Sequence, residues 1–447
     1  MNKTQIFLAL CLVAGPANAQ IIDPKRTAER KATDRANNRI DQSIDKGFDK
    51  VEEGIGSLFK KKNKKEKQGQ EEVSESKEDT PKQTDSGAGK ETAASKTAAS
   101  ALSYYSKFDF VPGEKVIAAE DFSNTNIGDF PVGWNTNSSA EVITLGDSPV
   151  KWLFMSKDGF FQPEFIKDMP ENFTIEFDVF TRYRSSNILE YQFQIASSAS
   201  PKKDLSEEYT SNYFQFKWLA SNTSTSFYVV ENGEVVNKNE GFSVKDFASE
   251  DVEHLEPVRV RISIWRQKSR LRIYANQNKI VDIPQAFDSK LKYNVFKFGG
   301  KYLNFSENEN RDEFMVSDIR YAIGSADTRS KLITAGKLIT RGILFNTNSD
   351  VIQPSSYGVL KDIAGVLAEN PTVKIKIVGH TDSDGENQAN LILSQKRAAA
   401  VKSMLSGEFK IDPSRMLTDG KGENEPSDSN DTPTGKANNR RVEFTKL

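Results

Sequence analysis

In Val373-Lys-Ile-Lys-Ile-Val-Gly-His-Thr-Asp-Ser-Asp-Gly-Glu-Asn-Gln-Ala-Asn-Leu-Ile-Leu-Ser-Gln-Lys-Arg397 the hydrophobic period changes once, and the change sets a strand against a helix. Val373, Ile375 and Ile377 alternate with Lys374 and Lys376, the period of a half-buried strand; Gly379 to Gly385 then supplies turn residues. From about Glu386 good helix formers follow, with Leu393, Ala398, Val401 and Leu405 spaced as one apolar stripe. A loop therefore joins the C-terminal end of a strand to the N-terminus of a helix. In open α/β sheets ligands settle at such junctions, because loop amides and the positive end of the helix dipole converge there.

Two charges stand out in this junction. Asp382 lies in the loop, and Arg397 lies one helical turn after Leu393 and one before Val401, at the flank of the stripe. A carboxylate and a guanidinium held in a partly shielded loop suit a zwitterion, the ammonium at Asp382 and the carboxylate on the two-pronged Arg397. The same pair also suits an internal salt bridge tying loop to helix, and spacing alone favours that plainer reading.

The 447 residues, 36% of them hydrophobic, are enough for two or three domains. A net charge of −2 gives no basic field, so nucleic acid is excluded as a partner class. Met1 to Gln20 has one Lys, an apolar run from Ile6 to Ala14, and Ala17-Asn18-Ala19 in the small-x-small pattern of a signal peptidase site; residues 1–19 are read as a signal peptide of an exported protein. Cys11 is the only cysteine and Leu10 precedes it, where lipid modification needs a small residue. The mature chain is thus expected to lack disulfides and zinc–cysteine sites. No later run of 18 apolar residues predicts a membrane-spanning helix.

Residues 20–60 read as an amphipathic helical segment, with Ile40, Ile44, Phe48, Val51, Ile55 and Leu58 at steps of three and four. A short coiled coil, a helix on a membrane surface beside the basic run Lys60 to Lys67, and a helix folded back on the protein all fit it. Residues 61–103 carry Lys, Glu, Gln, Ser, Thr and Ala with almost no large apolar side chain, and read as a flexible low-complexity linker.

From Tyr104 to about 326 short strands dominate. Phe173 to Phe180, Tyr191 to Ile195, Tyr213 to Trp218, Ser226 to Val230, Val258 to Trp265, Leu271 to Tyr274 and Phe314 to Tyr321 are separated by turns such as Glu231-Asn-Gly233. This predicts an all-β sandwich. Glu120-Asp-Phe-Ser123, Pro131-Val-Gly-Trp134 and the paired Val258–Trp265 and Leu271–Pro284 runs resemble, in their order, the concanavalin-like or laminin-G-like jelly roll. That fold includes glucanases, whose Glu-x-Asp-x-x-Glu strand carries the paired acids of glycoside hydrolysis. Glu176 and Asp178 are present here, but Phe180, Thr181 and Arg182 stand where the third acid is due. The pair is read as two solvent-facing carboxylates, and the module as a binder of glycan or protein. A membrane β-barrel also alternates polar with apolar residues, but needs about 9–11 residues per strand and aromatic girdles.

After the connector Lys331 to Thr340, strands and helices alternate: Gly342–Phe345 as a strand, Pro354–Ala368 as a helix with Leu360, Ile363, Ala364 and Leu367 inward, then the opening stretch, then Arg441–Thr445 closing the sheet. Phe345-Asn-Thr-Asn-Ser349, Gly379-His-Thr-Asp382, Gly385, Asn390, Leu393-Ser394, Arg397-Ala398, Gly420-Lys-Gly-Glu423, Pro426, Asn430, Thr432, Gly435 and Asn439-Arg-Arg-Val-Glu443 resemble the OmpA-like peptidoglycan-binding domain, over about residues 331–447. The resemblance implies an α/β sandwich at 327–447 in which Asp382 and Arg397 grip the amino-acid end of diaminopimelate in the cell-wall stem peptide. Thr381 and Asn390 match positions beside that pocket. Many members carry Asp where this chain has Asn346, which removes a charge from the site. With the resemblance added, binding displaces the salt-bridge reading of Asp382 and Arg397.

Other signals are weaker. Asp382-Ser-Asp-Gly-Glu-Asn starts like a calcium loop, but Asn387 stands at the sixth-position Gly and Leu393 at the bidentate Glu. His254 and His380, far apart, make no histidine-rich metal site; His380 is expected to hydrogen-bond within its loop. Arg440 and Arg441 read either as glycan contacts or as a solvent-facing strand end. The expectation is a multidomain, non-enzymatic protein of the Gram-negative periplasm or outer membrane, needing no cofactor or metal and binding peptidoglycan, with outer-membrane association possible. The alternatives are a secreted glycan hydrolase with a wall-anchoring domain and an outer-membrane β-barrel with a periplasmic wall-binding domain.

Overall fold

The computed structural model divides the chain into two units, Met1–Gly89 and Lys90–Leu447. It describes residues 108–182, 189–205, 210–219, 224–247, 257–303, 312–324 and 327–447, all within the second unit. The signal peptide, the amphipathic segment, the linker and His254 fall outside the described residues.

Two antiparallel sheets form the middle of the chain. In the eight-stranded sheet the order is Asn278–Ile283, Arg270–Ala275, Val258–Gln267, Asn172–Arg182, Glu313–Ile323, Lys151–Met155 and Ala140–Thr144, and Lys115–Glu120 also pairs with Glu313–Ile323. In the seven-stranded sheet it is Glu234–Ser243, Ser224–Glu231, Asn212–Leu219, Glu190–Ser197, Val295–Lys301, Gly159–Pro163 and Trp134–Thr136. Each sheet is open, with a strand at either edge.

The period-two pattern explains how they meet. Phe173, Ile175, Phe177 and Val179 point one way from their strand, and Tyr191, Phe193 and Ile195 point towards them from the other sheet. Phe177 lies edge-on to Phe298 at 4.9 Å and to Phe193 at 5.8 Å, so aromatic rings fill the space between the sheets. The Glu231-Asn-Gly233 turn is a hairpin with both central residues at positive φ, 52° and 85°, as its sequence requires.

Residues 327–447 form the α/β part. A four-stranded sheet runs Lys337–Thr340, Val442–Lys446, Ile375–His380 and Met416–Gly422. Its helices are α1 (Tyr357–Glu369), α2 (Asn387–Gly407) and α3 (Pro433–Asn439). Leu360, Ile363, Ala364 and Leu367 of α1 are buried as their spacing predicts. The edge strand is Lys337–Thr340 rather than Gly342–Phe345: Ile343 enters the core, but Phe345 makes only an isolated bridge to Ile352. The expected connector thus holds the strand.

The outer side of the eight-stranded sheet seats the α/β part. Phe108 and Phe110 pack on Tyr274 at 5.4 and 5.5 Å, and Phe110 stands edge-on to Trp265 at 6.0 Å. On the opposite flank of this segment Gly358 of α1 touches the Phe110 backbone so closely that a Cβ would overlap its carbonyl oxygen. The Asn438 amide bonds both the N–H and the C=O of Val116, at 3.2 and 3.0 Å. Arg341 donates to the Glu114 and Asn438 carbonyls, at 2.7 and 3.0 Å.

This seating overturns the reading of Glu176 and Asp178 as solvent-facing. Both are buried, 2% and 9% exposed. Glu176 meets Arg320 at 3.3 Å and Arg261 at 3.7 Å, and Asp178 meets Arg259 at 2.6 Å and Arg261 at 3.2 Å. Carboxylates taken out of water need such partners, and Arg320 carries the network on to the Arg341 carbonyl at 3.1 Å.

Candidate functional site

The site is assembled where the strand Ile375–His380 ends. Gly379 and Gly420 face α2 so tightly that a Cβ on either would overlap the backbone of Ser394 or Gln395. The buried line of α2 accordingly runs Asn390, Ser394, Ala398, Val401 and Leu405, with Leu393 half-buried beside it. This close approach presses the loop after His380 against the start of α2.

Asp382 is buried within the loop, 9% exposed. Its Oδ2 accepts from Nη1 of Arg440 at 2.5 Å, and its Oδ1 accepts from the Asp384 amide at 3.3 Å. Asn390 shapes the loop from α2: its Nδ2 donates to the Asp384 carbonyl at 3.1 Å and to the Glu423 carboxylate at 2.6 Å. The Thr381 amide bonds the Gly422 carbonyl, while its Oγ1, in a residue 4% exposed, has no hydrogen-bond partner. A buried hydroxyl without a partner is uncommon, and marks a place where a polar atom fits.

Arg397 does not reach Asp382 as an ion pair. Its guanidinium lies over the Phe345 ring at 4.9 Å; Nε donates to the Ser349 carbonyl at 2.9 Å and Nη2 to the Asn346 carbonyl at 3.4 Å. Burial lowers its pKa, and the nearby Asp382 charge opposes that shift. Asn346 is exposed, and it is its main-chain carbonyl that holds Arg397. The Asp382–Arg397 salt bridge that spacing favoured does not form; Asp382 pairs instead with Arg440, across 58 residues. No local pattern could have paired them; the only sequence signal was the Asn439-Arg-Arg run.

Arg441 and His380 differ from expectation. Arg441 is 6% exposed, its Nε bonded to Glu443 at 2.8 Å and its Nη2 to the Glu425 carbonyl at 2.9 Å, so it is neither a solvent-facing end nor available to glycan. His380 ends the strand rather than entering the loop; its ring is buried and unbonded, with Nε2 3.6 Å from the Glu443 carboxylate. Burial first, then the Arg441 charge, pull its pKa down to about 4.

A family model described as the OmpA family matches residues 344–440. "Probable lipoprotein YiaD" of Escherichia coli (strain K12) is 36% identical over 134 residues, 28% of this chain and 61% of that protein. "Outer membrane porin F" of Pseudomonas fluorescens is 41% identical over 101 residues, 23% of this chain and 31% of that protein. The chain thus spans less than two thirds of either. Among solved structures, the peptidoglycan-associated lipoprotein from Burkholderia pseudomallei is 30% identical, covering 24% of this chain and 88% of that one, with a TM-score of 0.22. Residues 344–440 are an OmpA-family domain.

Proposed function

We propose that the chain holds peptidoglycan noncovalently through its C-terminal domain and breaks no bond. In this reading Asp382 takes the ammonium, and Arg397 the carboxylate, of the free amino-acid end of diaminopimelate in the stem peptide. Thr381 and Asn390 flank them, and Asn346 bounds the Arg397 side. The observation that carries it is Arg397 itself: a half-buried guanidinium, fixed by two carbonyls and a ring, with no carboxylate within 4 Å among the described residues. A cation so held is prepared for a ligand anion, and the buried Asp382 beside it selects a ligand that also carries a positive charge. The peptidoglycan-associated lipoprotein supports the ligand class.

The chain is, in this proposal, an exported envelope protein of the periplasm or outer membrane, and the sandwich, jelly-roll-like in strand order, a module for glycan or protein. Glu176 and Asp178, buried and locked in ion pairs with arginines, speak against a hydrolase. The test is co-sedimentation of the full chain with diaminopimelate-type sacculi. Wild type is expected in the pellet, and Asp382→Ala and Arg397→Ala in the supernatant; pelleting of both variants would sink the site assignment.

A further inference from the structure

A cavity of about 170 Å³ lies between the two parts of the described unit, beside the site. Glu120, Asp121 and Asp318 line it from the sandwich, and Asp384, Asp431 and Arg440 from the α/β domain. Arg440 belongs to both places: it lines the cavity and bonds Asp382 at 2.5 Å. The cavity therefore opens next to the carboxylate assigned to the ligand's ammonium. Its two walls are fixed to one another, because the Ala119 amide donates to Thr434 Oγ1 at 3.0 Å and Val116 is held by Asn438.

The charges in this cavity do not balance. Its second cation, Lys436, is committed to Asp384 at 2.7 Å, as Arg440 is to Asp382, and Asp318 is met by Arg261 at 2.9 Å. Glu120, Asp121 and Asp431 have no cation within 4 Å among the described residues. Among the described residues they accept from the Phe122 amide, the Ser123 amide and the Ser429 hydroxyl. Burial, with the Asp121 charge adding to it, raises the pKa of Glu120, as expected where negative charge is uncompensated. A ligand carboxylate entering here meets like charge, whereas an amide, hydroxyl or ammonium meets acceptors.

Resting on the peptidoglycan reading above, we propose that this cleft is a second subsite, built jointly by the sandwich and the OmpA-family domain. It receives the part of the stem peptide next to the anchored zwitterion and prefers stems whose carboxyl groups there are masked as amides. The sandwich is then part of the recognition surface. Neighbouring residues of a peptide lie about 3.8 Å apart, so a group bonded to the anchored residue reaches a cavity that begins at Arg440.

The full chain is titrated calorimetrically with two stem tripeptides. They share the diaminopimelate zwitterion and differ only in whether their remaining carboxyl groups are free or amidated. Wild type is expected to bind the amidated form about tenfold more tightly. Asp121→Asn with Asp431→Asn, both exposed positions, is expected to bring the two within about twofold by strengthening binding of the free acid. Asp121→Asn alone should lose part of the preference, an independent reading if the double variant unfolds. Equal affinities in wild type, or a preference that survives the double substitution, would overturn the subsite. Binding of neither peptide, or binding indifferent to Asp382→Ala, would instead overturn the peptidoglycan reading, and the subsite with it.

Discussion

At the scale of residues, the Asp382–Arg440 pair is poised for exchange. The Arg440 side chain is 50% exposed and that of Asp382 12%, so water screens the pair from the Arg440 side and holds its worth to about 1 kcal/mol. An incoming ammonium therefore displaces it at little cost. Arg440→Ala is expected to leave the fold intact and to raise affinity for sacculi, by up to about fivefold if the pair is worth that much, whereas Asp382→Ala abolishes binding; pelleting isotherms of both variants measure the contrast. His380 makes the second prediction. Its folded pKa of about 4 lies below the ordinary 6.5, so between those values the unfolded chain binds the extra proton. Stability is then complete above pH 6.5 and lost as pH falls towards 4, by about 2 kcal/mol from this group at pH 5. His380→Gln should flatten the fall between pH 7 and 5 in urea-unfolding midpoints; an unchanged slope would mean that the imidazole is not the sensor.

Among elements, the tightest constraint is the contact of α2 with the strands Ile375–His380 and Met416–Gly422. The hydrophobic period of α2 was legible at Ala398, Val401 and Leu405, but it selected Leu393 where the structure buries Ser394. Hydrophobicity ranks a leucine above a serine; the glycines opposite allow only a small side chain, and the Ser394 hydroxyl also accepts from the Gly422 amide at 2.9 Å. Pairing geometry, invisible in the sequence of the helix alone, decides the position. The edge strand was misplaced for a related reason: Gly342–Phe345 is the more apolar run, yet Lys337–Thr340 is the one in register with Val442–Lys446. Gly379→Ala tests the contact. Overpacking typically costs about 1–3 kcal/mol, and the shift of α2 carries Asn390 away from the loop it clamps. The variant is expected to lose both stability in urea and peptidoglycan binding; binding at wild-type affinity would show that the site tolerates a displaced α2.

For the whole molecule, the sequence separates a strand pattern from an α/β pattern but is silent on how the two parts meet. The docking residues explain the silence. Glu176 and Asp178 read as surface charge, and nothing in the sequence pairs Phe108 and Phe110 with Tyr274 or Gly358 with Phe110. Each has its meaning only across the interface, where Phe108 and Phe110 cover Tyr274 and Trp265 and their backbone runs along α1. Gly358 separates the two possibilities. In a helix facing water, Gly→Ala gains about 1 kcal/mol from backbone entropy. Against the docked segment the added Cβ overlaps the Phe110 carbonyl, which is backbone and cannot rotate aside. Gly358→Ala is therefore expected to lower the thermal midpoint of the full chain and to split a shared transition into separate ones for sandwich and α/β domain, as calorimetry would resolve. A raised midpoint with one transition would mean that residues 108–114 do not lie on α1 in solution, and the composite cleft beside Asp382 would lose its fixed wall.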